Sequence, residues 1–123
     1  MPAASIVRAV MLPSAGFVVW AGHFGTVYAV HAHACERDMA TSSLLGLPWV
    51  AVLVMGATCL ALVVLALLFR RSWHGTRVGR RGASEAGEAE PDFTRWFGAA
   101  ACIVAGFAVL FEAVPALVLP ACR

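Results

Sequence analysis

The sequence predicts an all-α integral membrane protein of three transmembrane helices, with the N-terminus cytoplasmic and the C-terminus outside. Three observations predict it: the composition, three apolar stretches of bilayer length, and the placement of the arginines. Of 123 residues, 61% are hydrophobic and 13% charged, against about 45–50% and 25% in ordinary globular domains. A soluble chain this short cannot hide so much apolar surface, because small domains bury a limited fraction of it. Lipid is the solvent that removes the difficulty, and the mean hydropathy of +0.82 agrees.

The apolar stretches run over residues 11–34, 44–69 and 96–119. Each meets the roughly 20 residues needed to cross a hydrocarbon core of about 30 Å. A short polar turn, residues 35–43, separates the first two. Ser42 or Ser43 reads as the N-cap of the second helix, with Pro48 in or near its first turn, where a missing N–H costs least. Residues 70–95 form the one sizeable segment outside these stretches. It begins basic (Arg70, Arg71, Arg77, Arg80, Arg81) and turns acidic (Glu85, Glu88, Glu90, Asp92). Lacking apolar periodicity, it reads as a solvated, largely disordered cytoplasmic loop, with Phe93 and Trp96 re-entering at the interface.

Orientation follows from the arginines. The 70–95 loop carries six of them, whereas the first loop has only Arg37, flanked by Glu36 and Asp38. The positive-inside rule then places the long loop in the cytoplasm, and both Cys35 and Cys122 outside. The arginines sit beside hydrophobic segments, so the formal charge of +2 is a topology signal and not a nucleic-acid one. The chain has no Lys, Asn or Gln, as a GC-rich bacterial genome would produce. The location expected is the bacterial inner (cytoplasmic) membrane, multi-pass. A cleaved signal peptide is disfavoured: the first apolar run exceeds an h-region of about 7–15 residues and contains Gly22, His23 and Gly25.

Ionisable side chains inside a span cost about 2.5–3.5 kcal/mol on insertion scales and so demand a reason. His23 in the first stretch and Glu112 in the third are the two candidates. Counting back from Cys35 and Cys122 puts them within about two helical turns of one depth. Glu112 continues a small-residue stripe with Ala101, Ala105 and Ala108, so it should face a neighbouring helix. Pro115 cannot supply an N–H to the Phe111 carbonyl, which is left available beside the carboxylate. Tyr28, His23 or a backbone carbonyl could partner Glu112 and merely hold helices together, or the group could transfer protons. Both readings stay open.

The first stretch is also the richest in functional side chains: Trp20, His23, Tyr28, His31, His33 and Cys35. As a helix it puts His23 and His31 about 80° apart around the axis and about 12 Å apart along it, so they share no metal. His31 and His33 point to nearly opposite sides. No metal site, nucleophile–base pair or phosphate-binding loop is expected, and hence no independent catalysis. No cofactor is expected either. Haem with His23 as axial ligand would need its second ligand from another chain, since the other two helices hold no buried His.

Cys35 and Cys122 end the outer helices on the same, oxidising side, and a disulfide between them is expected. Cys59 and Cys102 read as small packing residues, and the absence of C-x-x-C argues against thiol oxidoreductase chemistry. Small-residue ridges mark packing at Ala21, Gly25 and Ala29 and at Gly98, Cys102 and Gly106. The second helix, rich in Leu and Val, reads as mostly lipid-facing.

The string W-A-G-H-F-G-T-V-Y with a Cys closing the helix, and the C-terminal L-x-L-P-x-C, resemble a group of short bacterial membrane proteins associated with respiratory cytochrome c oxidase gene clusters. The resemblance covers the outer two helices and rests on Trp20, His23, Tyr28, Cys35, Pro120 and Cys122. It implies an accessory subunit or assembly factor of a haem-copper oxidase. Three functions therefore stand as expectations. The first is a non-catalytic accessory subunit or assembly factor, hetero-oligomeric with other membrane subunits. The second is a proton- or cation-conducting homo-oligomer using Glu112 and His23. The third is a haem-binding membrane cytochrome.

Overall fold

The computed structural model describes residues 3–39, 41–82 and 89–122. It is all-helical apart from one two-residue hairpin: α1 (Ala3–Glu36), β1 (Ser43–Leu44), β2 (Leu47–Pro48), α2 (Trp49–Gly82) and α3 (Ala89–Val118). Each helix contains a span long and apolar enough to cross a membrane: Val10–Glu36, Trp49–His74 and Phe93–Val118.

The inner faces follow a seven-residue period. Gly16, Val19, Trp20, His23, Val27, Val30 and Ala34 face inward on α1, and Val50, Val54, Thr58, Ala61, Leu65 and Ser72 on α2. On α3 the inward set is Gly98, Ala99, Ala101, Cys102, Ala105, Val109 and Ala113. Alternating steps of three and four residues keep one seam of a helix against its neighbours, as in a left-handed bundle. The seam of α3 is mostly Ala, which lets it lie along both other helices while they meet each other less. Two apolar clusters result. One contains Ala61, Leu65, Cys102, Ala105 and Val109, and the other, toward the Cys35 end, contains Ala34, Val50 and Val54.

Among the described glycines the closest approach to a neighbouring helix lies at Gly16. A Cβ placed there would come within 3.1 Å of the Ala101 carbonyl carbon and oxygen, so α1 and α3 touch backbone to backbone. Gly98 is packed more loosely, with a virtual Cβ 3.5 Å from Ser72 Oγ and 3.6 Å from the Leu12 carbonyl oxygen. Gly25 and Gly106, expected as packing positions, instead have open space where a Cβ would sit. The α1 ridge turns away from the bundle, whereas the α3 ridge faces it through Gly98 and Cys102 and leaves only Gly106 beside open space. Ala21, Gly22, Gly25, Thr26 and Ala29 form an exposed face of α1. The expected division of labour between helices changes accordingly. A smaller share of the α1 span is buried than of α2 or α3, so α1, and not α2, is the least covered helix.

The connection between α1 and α2 is more structured than a polar turn. Helix α1 ends with Asp38 in the left-handed region (φ 51°). The Met39 N–H bonds the Ala34 carbonyl at 3.0 Å and the Asp38 N–H reaches the Cys35 carbonyl at 3.4 Å. That is a Schellman ending, which satisfies carbonyls the helix would otherwise leave bare. The hairpin then turns on Leu45 (φ 56°) and Gly46 (φ 80°), two consecutive positive values that match the strand twist. Pro48 lies in β2 and immediately precedes α2, beside its first turn. Ser42 does not cap α2 through its hydroxyl, which donates to the Met39 carbonyl at 2.6 Å. Its own carbonyl accepts the Trp49 N–H at 3.2 Å.

The opposite end also differs from expectation. Helix α2 continues to Gly82 and α3 begins at Ala89, so most of the 70–95 segment is helical in its backbone. Arginine, alanine and glutamate favour helix. Residues 83–88 lie outside the described residues.

A candidate proton-binding site between the helices

Midway along the bundle, between the two apolar clusters, each helix contributes to one polar layer. Helix α1 supplies Trp20 and His23, α2 supplies Thr58, and α3 supplies Glu112. The Trp20 Nε1–H donates to Glu112 Oε1 at 2.8 Å. His23 Nε2 stands 3.0 Å from Thr58 Oγ1, and the Thr58 hydroxyl donates to the Val54 carbonyl at 2.7 Å. His23 Nδ1 lies 3.5 Å from Glu112 Oε2, with the His23 side chain fully buried and that of Glu112 24% exposed. These last two atoms are buried and have no other hydrogen-bond partner. The seven-residue period explains the juxtaposition. Trp20 and His23 share the inward seam of α1, Thr58 is on that of α2, and Glu112 flanks the buried Val109 and Ala113 on α3.

The carboxylate so suspected in the sequence is thus partnered by His23 and Trp20, and not by Tyr28. The Tyr28 side chain is 71% exposed and lines a groove between α1 and α3. That groove encloses about 410 Å³, with Phe24, Tyr28, His31, Glu112, Pro115 and Pro120 among its walls. Glu112 is where the buried layer reaches the groove.

His31 bridges the same two helices one level nearer the disulfide end. Its Nδ1 is 2.9 Å from the Val27 carbonyl and its Nε2 3.3 Å from the Ala116 carbonyl. Position 120, whose N–H would take the Ala116 carbonyl if α3 continued, is proline and has none to give. Helix α3 frees a carbonyl at this point, and His31 faces it.

Cys35 and Cys122 are joined at an S–S distance of 2.10 Å with Cα atoms 5.5 Å apart. The bond ties the end of α1 to the segment that follows α3, beside the His31 bridge. Of the remaining cysteines, Cys102 is buried in the apolar cluster and Cys59 is exposed on α2.

Among the described residues no group of three or more His, Cys, Asp and Glu side chains is arranged to hold a metal. Haem ligation at His23 does not fit the geometry, because one ring nitrogen is taken by Thr58 and the other faces Glu112. No family model matches the chain, and no curated protein or solved structure matches it either.

Thr58 is the residue that sequence reasoning passed over. Its signal was present: it is the one hydroxyl side chain between Trp49 and Phe69. A lone Thr in such a run is often dismissed as bonded to its own helix, which it is. The same oxygen also receives His23.

Proposed function

We propose that this protein is a non-catalytic accessory subunit or assembly factor of a larger membrane complex, most suitably a respiratory cytochrome oxidase. It spans the bacterial inner membrane three times, with the N-terminus cytoplasmic and the disulfide end outside. The observation that carries this reading is the exposed face of α1, where Ala21, Gly22, Gly25, Thr26 and Ala29 lie side by side and uncovered. Small residues give lipid tails little to pack on but allow another helix to approach closely. The resemblance carried by Trp20, His23, Tyr28, Cys35, Pro120 and Cys122 points to an oxidase as the neighbour. The arginine distribution and the cysteine pair support the orientation.

The test is purification of the tagged protein from native membranes in mild detergent, beside the variants A21L, G25L and A29L. Oxidase polypeptides are expected with the wild type in fixed stoichiometry and are expected to be lost with the Leu variants. If the wild type purifies alone, the reading fails. The proton-conducting alternative draws less support, since the hydrogen-bond chain through His23 and Thr58 stops at the Val54 carbonyl. The haem alternative draws least, because Nε2 of His23 is held by Thr58 and Nδ1 faces Glu112 inside the bundle.

A further inference from the structure

The hydrogen positions in the polar layer can be counted. Thr58 Oγ1 and the Val54 carbonyl oxygen are 2.7 Å apart, a separation that requires a hydrogen between them, and a carbonyl brings none. The Thr58 proton is therefore committed to Val54. The Thr58 oxygen must then accept from His23, so Nε2 carries a hydrogen. That leaves Nδ1 facing Glu112 Oε2 at 3.5 Å, both buried and otherwise unpartnered. Two bare lone pairs opposed and buried would leave both groups unsatisfied. A single hydrogen satisfies both. On Glu112 it gives a neutral acid beside a neutral imidazole, and on His23 it gives an ion pair. The pair has net charge zero in both cases, and Trp20 donates to Oε1 throughout.

Access to this proton is one-sided. Glu112 lines the groove that opens between α1 and α3 toward the disulfide end. On the other side, Ala61, Leu65, Cys102, Ala105 and Val109 close the bundle with buried apolar groups. We infer that His23 and Glu112 form a binding site for one proton, held between Nδ1 and Oε2 and exchanged only through the groove. The other titratable groups at the groove are Tyr28 and His31, both on α1. Among the described residues, helix α2 presents only Thr58 to the pair, and α3 presents Glu112 itself, with Cys102 in the cluster beyond. The inference is independent of the partner proposed above.

The experiment uses the full chain, labelled with 15N-histidine and held in phospholipid nanodiscs, with H23Q to assign the His23 signals. His23 is expected either neutral with Nε2–H or doubly protonated. T58V is expected to release the ring into mixed tautomers, and T58S to restore the wild-type pattern. A neutral Nδ1–H tautomer in the wild type overturns the site, as does an unchanged tautomer in folded T58V. Should T58V fail to fold, the wild-type spectrum decides alone. One-sidedness is read in liposomes loaded with a pH dye under an imposed gradient. Proton entry no faster than in empty vesicles is expected, and any faster entry overturns it.

Discussion

Trp20 and Glu112, 92 residues apart in the chain, are joined by a 2.8 Å hydrogen bond that links α1 to α3. The bond holds one carboxyl oxygen and so aims the other at His23. A carboxyl group placed in an apolar span is thereby given two neighbours, one from indole and one from imidazole.

Removing the carboxyl should therefore strand two polar groups at once. In E112L the Trp20 N–H and His23 Nδ1 lose their partner, and each unsatisfied buried group costs about 1–3 kcal/mol. E112Q keeps an acceptor for Trp20 and offers an amide N–H to His23, so its loss should be well under that of E112L. Equilibrium unfolding in mixed micelles checks the order wild type, E112Q, E112L. An E112L protein as stable as the wild type would show that the polar layer does not hold the helices.

Thr58 should matter through its oxygen and not through its shape. T58V is nearly isosteric but leaves the His23 Nε2–H facing a methyl group, at a cost of about 1–3 kcal/mol. T58S keeps the hydroxyl and loses one methyl, at a cost of about 0.8 kcal/mol. Thermal denaturation of the two variants in the same detergent separates these outcomes, and a larger loss in T58S would reverse the assignment.

Much of this was legible in the sequence, and the parts that were not share a cause. The three helices are long apolar runs, and lipid-crossing length is a property of each run by itself. His23 and Glu112 stood out for the same reason, as ionisable residues in apolar company. Rotation about each helix axis was not legible. The ridge at Gly25 has the same spacing as the one at Gly98, yet only Gly98 meets a neighbour, and Gly106 in its own ridge does not. The tightest of the described glycine contacts, Gly16 on Ala101, carries no distinguishing pattern because the residue it meets is an alanine backbone. Thr58 and Trp20 escaped as partners of the dyad since each is ordinary alone. Only the relative turn of three helices makes them one site.

The disulfide should contribute through the segment after α3. Cys35 and Cys122 are separated by 87 positions, and closing so long a loop is worth on the order of 4 kcal/mol in a chain-entropy account. Helices already confined together retain less freedom to lose, so that figure is a ceiling. Reduction, or the pair C35S and C122S, should lower the midpoint of thermal unfolding. Intact mass measured without reductant should show both thiols blocked. Free thiols at both positions in protein from native membranes would remove the clamp.

Two glycines on α1 should respond to an added side chain in opposite ways. At Gly16 a side chain enters the Ala101 backbone at 3.1 Å, and backbone on a neighbouring helix has little room to yield. G16V should destabilise the isolated protein by about 1–3 kcal/mol, the usual penalty for overpacking. At Gly25 nothing lies within 4 Å, so G25A in the isolated protein should be neutral or gain up to about 1 kcal/mol from reduced chain freedom. If the exposed face of α1 receives another helix, G25L should nevertheless lose the partner during purification while the protein itself stays folded. Stability and association then part company at Gly25 and move together at Gly16. A G25L protein that retains its partner would leave the small residues of that face without the proposed role, whatever its effect on stability.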